Sequence, residues 1–171
     1  HVNALGNGNL RAFGCIFHGF QKIGFGLGEL SIAKAKLNGA AQFLLADRHG
    51  FMILSDECYS EIYTRQAPGS ALECAGPDFT NVVAFQSLSK RSNLPGMRVG
   101  FAAGDRKFLS AYHELRNVAA PQVPVPLQHV AVAAYSDEAH VEENRRLYRI
   151  KFDLADQILG NRYGYVRPAG G

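Results

Sequence analysis

The stretch from Val82 to Gly100 constrains the fold of this chain most. It reads Val-Val-Ala-Phe-Gln-Ser-Leu-Ser-Lys-Arg-Ser-Asn-Leu-Pro-Gly-Met-Arg-Val-Gly. A β-branched, apolar run stops at Ser87, Ser89 and Lys90. Pro95-Gly96 breaks the chain, and Arg98 opens a second apolar run. This pattern predicts a strand over Val82–Gln86, a polar loop, and a strand over Arg98–Ala103. Upstream, Phe51-Met52-Ile53-Leu54-Ser55 predicts another strand, ending at Asp56-Glu57-Cys58-Tyr59. Its near-continuous apolarity fits a parallel strand covered on both faces. Parallel strands bring their ends to one edge of a sheet, where α/β proteins place chemistry.

Two strand ends thus gather Asp56, Tyr59, Ser87, Ser89 and Lys90, with Arg98 following. A lysine held there can form Schiff bases with carbonyls. Two hydroxyls and a guanidinium suit a phosphate, because both donate hydrogen bonds and the second adds charge. Ser89 is the weakest member of this phosphate set. Arg91 has no assigned role, and a solvated arginine is its default.

The remaining chain supports an αβ pattern. Lys34 to His49 predicts a helix with Leu37, Ala41, Leu44 and Leu45 on one side, stopped by Gly50. Glu61 to Asp78 contains Pro68-Gly69 and Gly76-Pro77, which predicts loops with one helical turn. Asp105 caps a helix reaching Val118, with Phe108, Leu109, Tyr112 and Leu115 on its apolar face. Pro121, Pro124 and Pro126 interrupt it. Leu127–Tyr135 predicts a short apolar helix. Ser136 then caps a long helix to about Leu159, with early acids and later bases that match the helix dipole. Residues 1–38 show no steady period. Gly24 and Gly26 begin a dinucleotide-like pattern, but its third glycine falls on Glu29, so the fingerprint fails.

Bulk properties exclude several classes. The 171 residues suit one domain with a real core. A formal charge of +3 is too small and scattered to argue for nucleic acid. Cys15, Cys58 and Cys74 form no C-x-x-C pair, which suits a reducing cytosol rather than a disulfide framework. Cys58 reads as a packed thiol. Ala12–Phe20 is apolar but too short for a membrane span and lacks signal-peptide flanks. The six histidines have no metal-ligand spacing, so no metal is expected. There is no G-x-S-x-G elbow.

The register of Asp56, Tyr59, Ser87-Leu88-Ser89-Lys90 and Arg98 resembles the fold type I, class I/II pyridoxal-phosphate-dependent aminotransferases. That family has an aspartate, a tyrosine three residues on, Ser-x-Ser-Lys, and an arginine eight residues past the lysine. Asp-Glu-Cys-Tyr-Ser-Glu-Ile-Tyr followed by Ser-Lys-Arg-Ser-Asn-Leu-Pro-Gly-Met-Arg is most similar to the N-succinyldiaminopimelate aminotransferase branch. The likeness runs from about Leu44 to the C-terminus. The family's Asn-Pro-x-Gly turn has no counterpart, since the chain contains no Asn-Pro.

The resemblance implies an α/β fold. Residues 44–136 would be part of a mixed, mostly parallel large-domain sheet with flanking helices. Residues 137–171 would be a connecting helix and the truncated start of a small domain, and residues 1–43 an irregular, unmatched segment. It implies pyridoxal 5'-phosphate as cofactor. Lys90 would join it as a Schiff base and shuttle the substrate proton. Asp56 would face the pyridine nitrogen, Tyr59 would donate to the ring 3-oxygen, and Ser87, Ser89 and Arg98 would bind the phosphate. The implied reaction is transamination between N-succinyl-LL-2,6-diaminopimelate and 2-oxoglutarate, in lysine biosynthesis, by a cytoplasmic homodimer acting on small molecules. Two alternatives stand beside it: an aminotransferase of other specificity, and a catalytically inactive fragment of such an enzyme.

Overall fold

The computed structural model describes residues 39–120 and 122–168. The expectations for residues 1–38, which include most of the irregular 1–43 segment and the first five residues of the predicted helix, lie outside them. In order, the elements are α1 (Gly39–His49), β1 (Ile53–Asp56), α2 (Ala71–Cys74), β2 (Val82–Ser87), α3 (Leu88–Arg91), a 3-10 turn (Pro95–Met97), β3 (Gly100–Gly104), α4 (Arg106–Ala119), α5 (Val125–Ser136), α6 (Ala139–Leu159) and a second 3-10 turn (Arg162–Gly164).

The three strands form one sheet in the order β1-β2-β3. β1 runs parallel to β2, pairing Ile53 with Val82 and Asp56 with Phe85. β3 runs antiparallel to β2, pairing Val83 with Gly104 and Ser87 with Gly100. The α/β class and mixed sheet expected from the sequence are therefore present. The parallel pair sets Asp56 level with Phe85, two residues before Ser87, so the two strand ends meet as expected.

β2 is the centre of the core. Val82, Val83, Ala84 and Phe85 are all buried, as an apolar strand flanked on both sides requires. Beyond its end, Leu88, Val99 and Val123 form a buried cluster, covered by Leu94, Met97, Leu127, Ala131, Ala134 and Tyr135. α5 thus lies over the segment that follows β2.

Several boundaries and environments differ from the sequence expectations. β1 begins at Ile53 rather than Phe51, and it is not covered on both faces: Phe51 is 42% and Leu54 43% exposed. Burial alternates along this edge strand, with Ile53 and Ser55 half-buried and Leu54 and Asp56 exposed, so one of its faces is left open among the described residues. The second predicted strand starts at Gly100, because Arg98 adopts a left-handed conformation (φ 54°, ψ 43°) that a strand cannot include. The polar loop after β2 is largely a helical turn followed by a 3-10 turn. α5 begins at Val125 rather than Leu127, with Pro126 in its first turn, where the missing N–H costs nothing. Ser136 ends α5 instead of capping α6, and Asp137 takes that task by accepting from the Ala139 N–H at 2.9 Å. Other expectations hold. Gly50 closes α1 with a left-handed φ of 68°, and Asp105 caps α4 by accepting from Phe108 N–H at 2.8 Å.

Candidate active site

Lys90 lies on α3, the single turn immediately after β2. Ser87 starts this turn. Its Oγ accepts from Ser89 N–H at 3.0 Å, which satisfies one free donor of the helix start. The two hydroxyl oxygens of Ser87 and Ser89 are 2.8 Å apart. Ser87 is buried and Ser89 half-buried, so Ser89 presents the more accessible hydroxyl.

The Lys90 amine leaves the turn toward the end of β1. Its Nζ lies 5.3 Å from the centre of the Tyr59 ring, a cation–π contact. Lys90 forms no ion pair with a carboxylate among the described residues. Asp56 is exposed at the end of β1, and its Oδ1 accepts from Cys58 N–H at 3.1 Å. This turn fixes the carboxylate at the strand end. Cys58 is half-buried, with its Sγ 4.0 Å from Phe85 O. Burial, with the Asp56 carboxylate beside it, pushes its thiol up to about 12. The thiol therefore stays protonated and packed, as the sequence suggested.

Arg98 is not joined to this group. Its left-handed backbone turns the side chain back, and its guanidinium donates to Pro95 O at 3.0 Å. It makes no hydrogen bond with Ser87 or Ser89. The structure thus brings Lys90 to Tyr59 and Ser87 to Ser89, sets Asp56 at the adjoining strand end, and leaves Arg98 exposed at the rim.

Arg91 corrects the sequence reading. Expected to be solvated, it is only 6% exposed. It donates to Ala134 O at 2.8 Å, pairs with Glu138, lies 3.9 Å from Glu61 Oε1, and sits 5.3 Å over the Tyr135 ring. Nothing local in the sequence signals these partners, which come from distant segments. The Tyr135 ring also packs edge-on against Phe101 at 5.3 Å. Its hydroxyl is buried without a hydrogen-bond partner among the described residues, and burial pushes it up to about 12.

Two further residues were missed by sequence reasoning. Glu57, one residue after Asp56, accepts from Ser70 Oγ (3.0 Å), Ala71 N–H (2.8 Å) and Gln86 Nε2 (3.2 Å). It thereby ties the end of β1 to the start of α2 and to β2. Asn144, on α6, donates to the backbone of Lys90 itself at 2.8 Å. Among the described residues, no group of three or more His, Cys, Asp or Glu side chains could hold a metal. No helix among them is long and apolar enough to cross a membrane.

Comparison with known proteins gives consistent matches. The family model "Aminotransferase class I and II" matches residues 40–167. A 4-dedimethylamino-4-oxo-anhydrotetracycline transaminase of Streptomyces rimosus is 41% identical over 101 residues, which cover 58% of this chain and 28% of that protein. The crystal structure of an aminotransferase from Neisseria meningitidis superposes with a TM-score of 0.71 at 40% identity, covering 78% of this chain and 35% of that one. A structure described as a "probable N-succinyldiaminopimelate aminotransferase" from Thermus thermophilus superposes at 0.62 with 25% identity, covering 70% and 33%. The chain spans about a third or less of the length of the relatives it matches.

Proposed function

Since the chain belongs to the class I and II aminotransferases, we propose that it carries the cofactor-binding centre of an enzyme that moves an amino group between small molecules. The observation that carries this reading is the Lys90 amine held over Tyr59 at the meeting of two parallel strand ends.

The residues present fit pyridoxal 5'-phosphate. The site offers one amine without a carboxylate partner among the described residues, an exposed carboxylate at the next strand end, a phenol, and two adjoining hydroxyls. When bound, that cofactor supplies a carbonyl for amines and a ring that withdraws electrons from the substrate carbon. Lys90 would bind it covalently at Nζ and, when released, move the substrate proton at the same atom. Asp56 would hold a proton on the ring nitrogen. Tyr59 would donate its hydroxyl hydrogen to the ring oxygen. Ser87 and Ser89 would donate to the phosphate, and the exposed Arg98 would add a guanidinium charge to it.

For the whole protein, we read the amino donor as N-succinyl-LL-2,6-diaminopimelate and the acceptor as 2-oxoglutarate. The wording of the Lys90 segment and the likeness to the Thermus thermophilus structure support this. A homodimer of the lysine-biosynthesis type, in the cytoplasm, belongs to the same reading. A different amino donor is the second reading, favoured by the higher identity to the Streptomyces rimosus transaminase. A third concerns these residues by themselves: with β1 uncovered and Phe51 and Leu54 open, they would bind cofactor weakly and not turn over.

The test is to express residues 1–171, add excess pyridoxal phosphate, reduce with borohydride and map the modified peptide, while assaying glutamate formation from the succinylated donor. Lys90 should carry the label, and no 2-oxoglutarate-dependent turnover is expected. Label spread evenly over the lysines would overturn the assignment of the site. Turnover abolished by Lys90→Ala would overturn the third reading.

A further inference from the structure

Resting on the reading of Lys90 as the reactive amine, we propose that two neighbouring residues of α6, Asn144 and Arg145, are positioning residues that set Lys90 against Tyr59.

The argument begins with the weakness of α3. A four-residue turn is far too short to be stable by itself. Its last carbonyls have no partner within the turn. Here two of them are met from outside. The Asn144 amide donates to Lys90 O at 2.8 Å and to Arg91 O at 3.3 Å. One turn earlier on the same face of α6, His140 places Nε2 2.9 Å from Ser92 Oγ, and its Nδ1 lies 2.8 Å from Asp137 Oδ2. Three consecutive residues, Lys90, Arg91 and Ser92, are thus gripped by one stretch of helix.

The other half of the site is held by the next residue. Arg145 Nε donates to Glu61 O at 3.1 Å, its Nη2 donates to Glu61 Oε2 at 2.8 Å, and its guanidinium stacks on Tyr63 at 4.4 Å. Glu61 and Tyr63 belong to the segment that carries Tyr59. Adjacent residues of α6 therefore fasten the amine side and the ring side of the same 5.3 Å contact. Neither touches the amine. Asn144 acts through the carbonyl of Lys90, and Arg145 through the carbonyl and carboxylate of Glu61 and the ring of Tyr63. A side chain leaves the backbone at a fixed angle, so shifting the α3 turn redirects the amine.

The experiment compares borohydride trapping of pyridoxal phosphate at Lys90 with trapping at Lys107 and Lys151, both exposed, in the same molecules of residues 1–171. Asn144→Asp keeps the shape but turns a donor into an acceptor facing two carbonyls. It should lower the Lys90 share relative to the other two lysines about tenfold, the equivalent of one lost hydrogen bond. Arg145→Met should lower it in the same direction. Arg146→Gln breaks only the exposed pair with Glu143 on the same helix and should leave the share within about twofold, below the size of a lost hydrogen bond. Asn144→Ala removes the donor without adding charge and serves if Asn144→Asp loses its helical signal. A Lys90 share that is high in the wild type and unchanged in the Asn144 and Arg145 variants would overturn this proposal alone. An equal fall in Arg146→Gln would also overturn it, since any weakening of the helix would then suffice. No preference for Lys90 in the wild type would overturn the reading of the amine, and the positioning with it.

Discussion

The amine of Lys90 rests 5.3 Å from the centre of the Tyr59 ring, although the two residues follow different strands, Tyr59 after β1 and Lys90 on the turn after β2. The contact depends on the ring face rather than on the hydroxyl. Tyr59→Phe should therefore keep selective trapping of the Lys90 amine within about twofold. Tyr59→Ala should weaken it several-fold, as loss of about 0.5–1 kcal/mol at a partly exposed site implies. Peptide mapping after borohydride reduction measures both. Equal losses in the two variants would show that the hydroxyl, not the ring face, holds the amine.

Arg91 and Arg98 should separate stability from cofactor affinity. Arg91→Ala removes a donor to Ala134 O, the pair with Glu138 and the packing on Tyr135. A cost of about 1–3 kcal/mol is expected, lowering the melting midpoint by several degrees. Arg98→Ala should leave the midpoint nearly unchanged, since its side chain is exposed and bonded only to a neighbouring carbonyl. Its effect should fall on pyridoxal phosphate affinity, weakened about tenfold or more by loss of a charge-assisted contact. Thermal melts and cofactor titration would show the separation or its absence.

Tyr135 carries a buried hydroxyl with no hydrogen-bond partner among the described residues. Removing an unsatisfied buried donor relieves a desolvation cost of about 1–3 kcal/mol while the ring contact with Phe101 remains. Tyr135→Phe is thus expected to raise the melting midpoint. A clear fall would mean that the hydroxyl has a partner in solution.

Asp105 joins the two ends of the β2–β3 pair to α4. Its carboxylate accepts from Phe108 N–H at 2.8 Å and Asn81 N–H at 2.9 Å, and these donors hold it below the usual carboxylate range. A depressed folded-state value means that this stability is complete above the ordinary value of 3.8 and is lost as pH falls through the lower, folded value. Asp105→Asn should cost about 1–3 kcal/mol near neutral pH, because one N–H would face an amide NH2. It should also flatten the acid limb of the stability curve. Denaturant titrations between neutral and strongly acidic pH would test both effects.

Gly104 should tolerate no side chain. Its φ is +141°, and a Cβ there would lie 2.0 Å from Val82 O and 2.8 Å from the Val83 Cα. Both are backbone atoms of the central strand and cannot step aside. Gly104→Ala is expected to destabilise by more than about 3 kcal/mol and to abolish a cooperative melt in a chain of this size.

The meeting of the two strand ends was legible because spacing along strands is a local property. An apolar run ending at Ser87 has one direction in which to continue, and the parallel pairing of β1 with β2 brings Asp56 beside it. The helical turn under Lys90 was hidden because Pro95-Gly96 dominates the pattern, although Ser87 is itself a good cap. Arg91 was misread because its burial is made by Glu61, Ala134 and Glu138, which no local window contains. The exposure of β1 was missed for the opposite reason: an apolar run reports what a strand could bury, not what covers it. Pro126 misled because proline stops a helix in its interior but suits its first turn.

The hydrogen bond from Asn144 to the Lys90 carbonyl spans 54 positions of sequence, whereas Ser87 and Gly100 pair across one short connection. Near neighbours meet sooner than distant ones during folding, because closing a longer loop costs more chain entropy. The β2–β3 hairpin is thus expected to close around its lysine before α6 arrives. In pulsed hydrogen exchange during refolding, amides of the hairpin should gain protection ahead of those in α6, and simultaneous protection would contradict this order. The maturing chain would then pass through a stage in which the lysine is present but undirected. On the proposed reading of Lys90, docking of the last long helix, rather than appearance of the lysine, would time the onset of its chemistry.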